Sequence, residues 1–132
     1  MICADTSVWV AALRDATGPE AFHLGELMET DEVLMPISVR IELLSGARQK
    51  DLAPLRELFS ALPQAAPDAG TWGRIEGWLA VATGRGQRFG VGDLLVASTA
   101  ADHGALIWSL DLDFARMARL GFVSLAAFSP QS

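Results

Sequence analysis

The sequence predicts an α/β fold in which a parallel central sheet of four to five strands carries helices on both faces. Short apolar runs (ICA, EVLMPI, ALIWSL) alternate with longer stretches whose apolar residues recur at helical spacing, the pattern that builds a parallel sheet. Nothing in the 132 residues looks like a repeat, a low-complexity tract or a dividing linker, so residues 1–132 read as one domain. A composition 51% hydrophobic and 20% charged excludes a disordered chain.

The first strand is ICA, and SVWVAALRD after it has helical spacing. GPEAFHLGELMETD opens with a proline suited to a first helical turn. EVLMPI is the second strand, ended with the help of Pro36, and Ser38 is the expected N-cap of the helix VRIELLSGAR. DLAPLRELFSALP places Leu52, Leu55, Leu58, Phe59 and Leu62 on one helical face, and QAAP is a weakly marked third strand. Asp68 is the expected cap of the next helix, with Trp72, Ile75, Leu79 and Ala82 on its apolar face, Trp78 off that stripe and Gly84 as its stop. RGQRFGVG is a loop, DLLVASTAADHG a helix, ALIWSL a strand, DFARMARLG a short helix and FVSLAAF a last strand.

In sheets of this kind the crevice beyond the carboxyl ends of the strands is the usual place for a site. Asp5 follows the first strand and Asp111 follows ALIWSL, so two carboxylates occupy equivalent ends. Glu42 and Asp93 sit in helices with no cation three or four residues away to neutralise them. Each has an ordinary reading as well: Asp5 and Asp93 as helix caps, Glu42 as a solvated helix residue, Asp111 and Asp113 as turn residues. Together they gain weight, because the topology brings them to one sheet edge. Two unit charges at 4 Å repel by about 4 kcal/mol at an effective dielectric of about 20, and a divalent cation removes that cost. Oxygen ligands with no cysteine or histidine beside them favour magnesium or manganese over zinc.

The segments ADTSVWV, PISVRIELLSGAR and GDLLVASTAADHGALIWSLDLDF, in this order and spacing, resemble the PIN-domain ribonucleases, and specifically the VapC-type toxins of bacterial toxin–antitoxin pairs. The resemblance implies a PIN-like three-layer fold and a magnesium-dependent endoribonuclease, with manganese able to substitute, that hydrolyses RNA phosphodiesters by metal-activated water. Carried over by position, it makes Asp5, Glu42, Asp93 and Asp111 the catalytic, metal-holding acids, with Asp113 an accessory metal ligand and Ser7 and Thr6 as site hydroxyls. Ser109 stands where the family usually has threonine. The implied partners are RNA, a small antitoxin that covers the site, and further copies in a homodimer or a toxin–antitoxin hetero-oligomer.

Charge bears on these expectations only weakly. The net charge of −6 argues against a nucleic-acid partner until carboxylates that hold metal are discounted, and nine of the ten cations are arginine, which suits phosphate. Arg14, Arg40, Arg48, Arg85 and Arg88 flank the proposed crevice in sequence. His23 and His103 are too differently placed for paired-imidazole catalysis, and the sole lysine, Lys50, lies in a turn, where a phosphoacceptor fold would need one near its aspartate. A PIN scaffold kept only for protein binding would be expected to have lost an acid, and none is missing. The lone Cys3 reads as a small core residue, and the absence of a secretory signal or a membrane-length apolar run points to the cytoplasm.

Overall fold

Ile2–Ala4 forms β1, and its neighbours are set by the parallel partners its apolar side chains require: Val33–Pro36 (β2) on one side and Leu106–Trp108 (β4) on the other. Gln64–Ala65 (β3) pairs with β2, giving the order β3-β2-β1-β4 in a computed structural model that describes residues 1–129. The strands pair in parallel, and β1 and β2 are buried along their whole length, as a sheet covered on both sides demands. The helices are Thr6–Arg14 (α1), Pro19–Glu29 (α2), Ile37–Ser45 (α3), Leu52–Ser60 (α4), Ala69–Gly84 (α5), Val91–Asp102 (α6) and Asp113–Arg119 (α7), with a 3₁₀ turn over Gln49–Asp51. No helix among the described residues is long and apolar enough to cross a membrane.

The weakly marked third strand exists, as two residues, and the expected fifth does not. FVSLAAF contributes a single parallel bridge, Leu125 to Ile107, flanked by the hydrogen bonds Ile107 N–H to Ser124 O and Ala126 N–H to Ile107 O. The tail then turns, and the Ser129 hydroxyl donates to Ile107 O and accepts from Ser109 N–H. One side-chain hydroxyl thus takes the place of the next ladder bonds.

Ser38 is not the cap of α3. The helix begins at Ile37 directly after Pro36, whose extended backbone (φ −63°, ψ 138°) makes it the cap residue without any side-chain bond; Ser38 falls in the first turn with its buried hydroxyl unpartnered. Asp68 does cap α5, in a reciprocal box with Thr71. Gly84 is the last residue of α5 rather than its stop; the left-handed residue that ends the helix is Gly86 (φ 69°).

The apolar face of α5 is rotated from the expected one. Ile75 and Ala82 are buried, but Trp72 and Leu79 are exposed, and it is Trp78 that turns inward to stack on Phe122 with ring centroids 4.6 Å apart. A polar network fixes that rotation. Arg74 donates from Nη1 to Ser98 O, Ser98 Oγ and Asp102 Oδ1, and the Thr71 hydroxyl donates to the other Asp102 oxygen, tying α5 to α6. Cys3 is fully buried, and burial followed by the nearby Asp5 charge pushes its thiol up to about 12, so it serves packing rather than reactivity.

Candidate metal centre

The strand order reverses at β1: the chain moves through β2 to β3 on one side, then returns to place β4 on the other. The crevice beyond the carboxyl ends of β1 and β4 is where such sheets leave room for a ligand. Asp5 leaves β1 there, its N–H donating to Trp108 O at the end of β4, and Asp111 lies three residues past Trp108.

Asp5 is both cap and site residue. Its Oδ1 accepts from Ser7 N–H (3.0 Å), Val8 N–H (3.4 Å) and the Ser7 hydroxyl (2.5 Å), and its Oδ2 accepts from the Ser109 hydroxyl (2.6 Å). These donors offset much of the cost of burying an anion that is 6% exposed. Burial still pushes its carboxyl above the usual range, against the pull of Ser109, Ser7 and Val8. The hydroxyls are bonded onward: Ser7 Oγ accepts from Leu110 N–H and Ser109 Oγ from Asp111 N–H, so the network binds the start of α1 to the loop that carries Asp111. Thr6 lines the cleft but takes no part in this network.

Asp93 occupies the first turn of α6 without capping it; the cap residue is Gly90. Its side chain faces Asp111 and Asp113, and one oxygen from each of the three lies within 4.8 Å of the others. Burial first, then the charges of Asp111, Asp113, Asp5 and Glu42, pushes Asp93 up to about 6. Asp111 Oδ1 accepts Asp113 N–H (2.9 Å), which fixes its carboxylate across the start of α7.

Glu42, on α3, is exposed and lines the same cleft of about 460 Å³ as Asp5, Asp93 and Asp111. The cleft therefore gathers all four acids expected there, and Asp113 joins the tight group with Asp93 and Asp111. Asp5 and Glu42 line the wall outside that group.

Hard carboxylate oxygens with no histidine or cysteine beside them fit a magnesium-like ion by ligand chemistry; two such ligands at about 2.1 Å lie at most about 4.2 Å apart, so oxygens spread over up to 4.8 Å would hold it by small side-chain adjustments or through its waters. Burial first, and the neighbouring carboxylates second, disfavour the Asp93 anion, and a bound cation would offset both.

Residues 2–120 match the family described as PIN domain. This chain belongs to the PIN-domain family. Within it the relatives are of the VapC type, as the sequence resemblance implies. Ribonuclease VapC11 of Mycobacterium tuberculosis is 31% identical over 133 residues, 97% of this chain and 99% of that protein. Solved structures share the PIN fold. They include a VapBC2 complex of Rickettsia felis bound to a fragment of its promoter DNA (TM-score 0.77, 20% identity, 96% of this chain and 98% of that one). Another is the sarcin–ricin loop cleaving toxin VapC20 of Mycobacterium tuberculosis (TM-score 0.66, 19% identity, 98% of this chain and 100% of that one).

Three features of this PIN domain were not singled out from the sequence as site residues. Ser109 is bonded directly to Asp5, Ser129 holds the Ser109 backbone, and Arg116 pairs with Asp113 at 2.8 Å. Arg116 had a signal in the aspartate three residues before it on a helix; Ser129 had none, since its partner is 20 residues away in sequence. Of the arginines expected to flank the crevice, Arg40 is turned to Ser60 and Gln64, while Arg14 and Arg48 line a separate groove between α1, α3 and α4 that shares Thr6 and Glu42 with the cleft. The histidines stand apart, His23 stacked on Phe128 and His103 at the end of α6.

Proposed function

We propose that this PIN domain is a divalent-cation-dependent endoribonuclease, the toxin of a toxin–antitoxin pair, acting in the cytoplasm and silenced by a small antitoxin that covers the acidic cleft. The observation that carries this reading is the group of Asp93, Asp111 and Asp113 oxygens within 4.8 Å, on a cleft that Asp5 and Glu42 also line. The names of the relatives support the substrate: VapC11 is called a ribonuclease and VapC20 a toxin that cleaves the sarcin–ricin loop.

Asp93 and Asp111 would hold magnesium, or manganese in its place, with Glu42 and Asp5 facing it directly or through water. The bound cation supplies the Lewis acidity that makes water nucleophilic and stabilises charge on the phosphate. The chain's own residues do the rest. Ser7 and Ser109 hold Asp5 in one orientation at the cleft, and Ser109 simultaneously positions Asp111 through its backbone N–H. Glu42, exposed on α3 and lining the same cleft, would help to hold the cation or one of its waters. No side-chain nucleophile is required.

The reading is tested by incubating a structured RNA with the wild type and with Asp5→Asn in magnesium, in manganese and in EDTA. Cleavage with either ion, lost in chelator and in the variant, is expected; cutting that persists in EDTA overturns the mechanism. Ser109→Ala, which removes the donor to Asp5 Oδ2, is expected to slow cleavage about 10–100-fold, the usual cost of losing a group that orients a metal-site carboxylate. Because that donor lowers the Asp5 pKa, the acidic limb of the variant's pH–rate profile should move to higher pH. An unmoved limb would mean that Ser109 is there only for packing.

A further inference from the structure

Arg116 is bonded to both segments that carry the acidic group. On α7 its Nη2 donates to Asp113 Oδ1 (2.8 Å). Across the gap to the segment that leads into α6, Nη1 donates to Gln87 Oε1 (3.1 Å) and Nη2 to Arg88 O (3.3 Å), and the guanidinium carbon lies 4.4 Å from the centre of the Phe89 ring. A planar fork stacked on a ring and bonded on two edges has little freedom left. Asp113 is therefore held by a fixed counter-charge, while Asp111 spends one oxygen on the Asp113 backbone N–H.

We propose that Arg116 is a positioning residue: it keeps Asp113 in a neutral pair at the edge of the cleft and so reserves Asp93 and Asp111 as the carboxylates that receive a divalent cation. The proposal rests on the cation-site reading above and deepens it, assigning unequal parts to three acids that distance alone leaves equivalent. The pair lowers the negative charge at the cleft edge without adding net positive charge. The same guanidinium ties the loop before α6 to α7, a contribution to stability rather than to cation affinity.

Calorimetric titration with manganese measures this without any RNA, on variants checked for folding by circular dichroism. A unit charge about 6 Å from a divalent cation in a water-filled cleft changes its affinity about tenfold. Arg116→Gln should accordingly bind manganese about tenfold tighter, Asp113→Asn about tenfold more weakly, and the double variant within about twofold of wild type, because the pair leaves as a neutral unit. Arg116→Lys keeps the charge but loses the fork; it should retain wild-type affinity while melting at lower temperature. Asp111→Asn loses a reserved ligand and should weaken binding about a hundredfold or more, a comparison with Asp113→Asn that needs no change at Arg116.

Equal losses in Asp111→Asn and Asp113→Asn, or a double variant as weak as Asp113→Asn alone, would make Asp113 an ordinary ligand and overturn the proposal. A wild type that takes up no manganese would overturn the cation-site reading itself, and this proposal with it.

Discussion

Asp93→Asn is expected to lower RNA cleavage by about a thousandfold or more and, in the same experiment without metal, to make the protein harder to unfold at neutral pH. The two effects share one cause. Asp93 is pushed up to about 6 by burial and by four neighbouring acids, so its ionised form opposes folding. The sign follows from linkage: with a folded pKa above the unfolded value of about 3.9, this group favours the folded state when protonated, and that contribution is lost as pH rises through about 6. The asparagine never ionises and keeps the contribution. Asp93 is only half-buried, so solvent screening leaves a gain of about 1 kcal/mol, or about 3–5 °C in Tm at pH 7.5. The gain should shrink below about pH 5 and vanish by about pH 3, where the wild-type carboxyl is protonated in both states. Magnesium should reverse the order, stabilising the wild type and leaving the variant unmoved. Thermal melts at pH 3 and 7.5, with and without magnesium, supply all four comparisons. A variant less stable than wild type at pH 7.5 without metal would mean that Asp93 is held by attractive contacts and not strained by its neighbours.

Phe59→Ala is the second large effect, and it acts far from the acids. Phe59 is fully buried on α4 and meets Trp9 of α1 edge-on, with ring centroids 5.4 Å apart and planes at 79°. Removing the ring should cost about 3–5 kcal/mol through lost burial and the cavity left behind. That is a large part of the total for any domain, about 5–15 kcal/mol. Urea unfolding should show the midpoint falling with the slope unchanged, and Phe59→Leu should restore most of the loss. A loss under about 1 kcal/mol would mean that α4 packs too loosely on α1 to feel the ring. Because the Asp5 carboxylate caps α1, a loosened α1 should also weaken cation uptake in the alanine variant.

Much of this was legible before any coordinates. Apolar runs ending in acids placed Asp5 and Asp111 at equivalent strand ends, since a parallel sheet leaves its carboxyl edge open. The spacing of DTS within ADTSVWV was legible as a cap because an aspartate before a helix reaches the next N–H groups whatever lies around it. The misreadings are equally physical. Periodicity puts Trp72 on the apolar face of α5 and Trp78 off it, and the structure reverses the two, because the Arg74–Asp102 and Thr71–Asp102 bonds to α6 set the rotation of the helix. FVSLAAF has strand composition, but a strand needs a continuous partner edge, and past Ile107 that edge is occupied by the Ser129 hydroxyl. Ser38 lost the cap to Pro36 because β2 runs straight into α3 with no intervening residue.

The sequence by itself determined the helices, the strands β1, β2 and β4, the strand ends that carry charge and the chemistry available there, because each depends on neighbours within a few positions along the chain. Tertiary structure alone decided which acids meet. Ser109 reaches Asp5 across 104 positions, and Arg116 reaches the segment before α6 across 28 or 29, distances over which no local pattern carries information. What selected those partners is the reversal of strand order at β1: it sets β4 beside β1, and with it the Asp111 loop beside the start of α1.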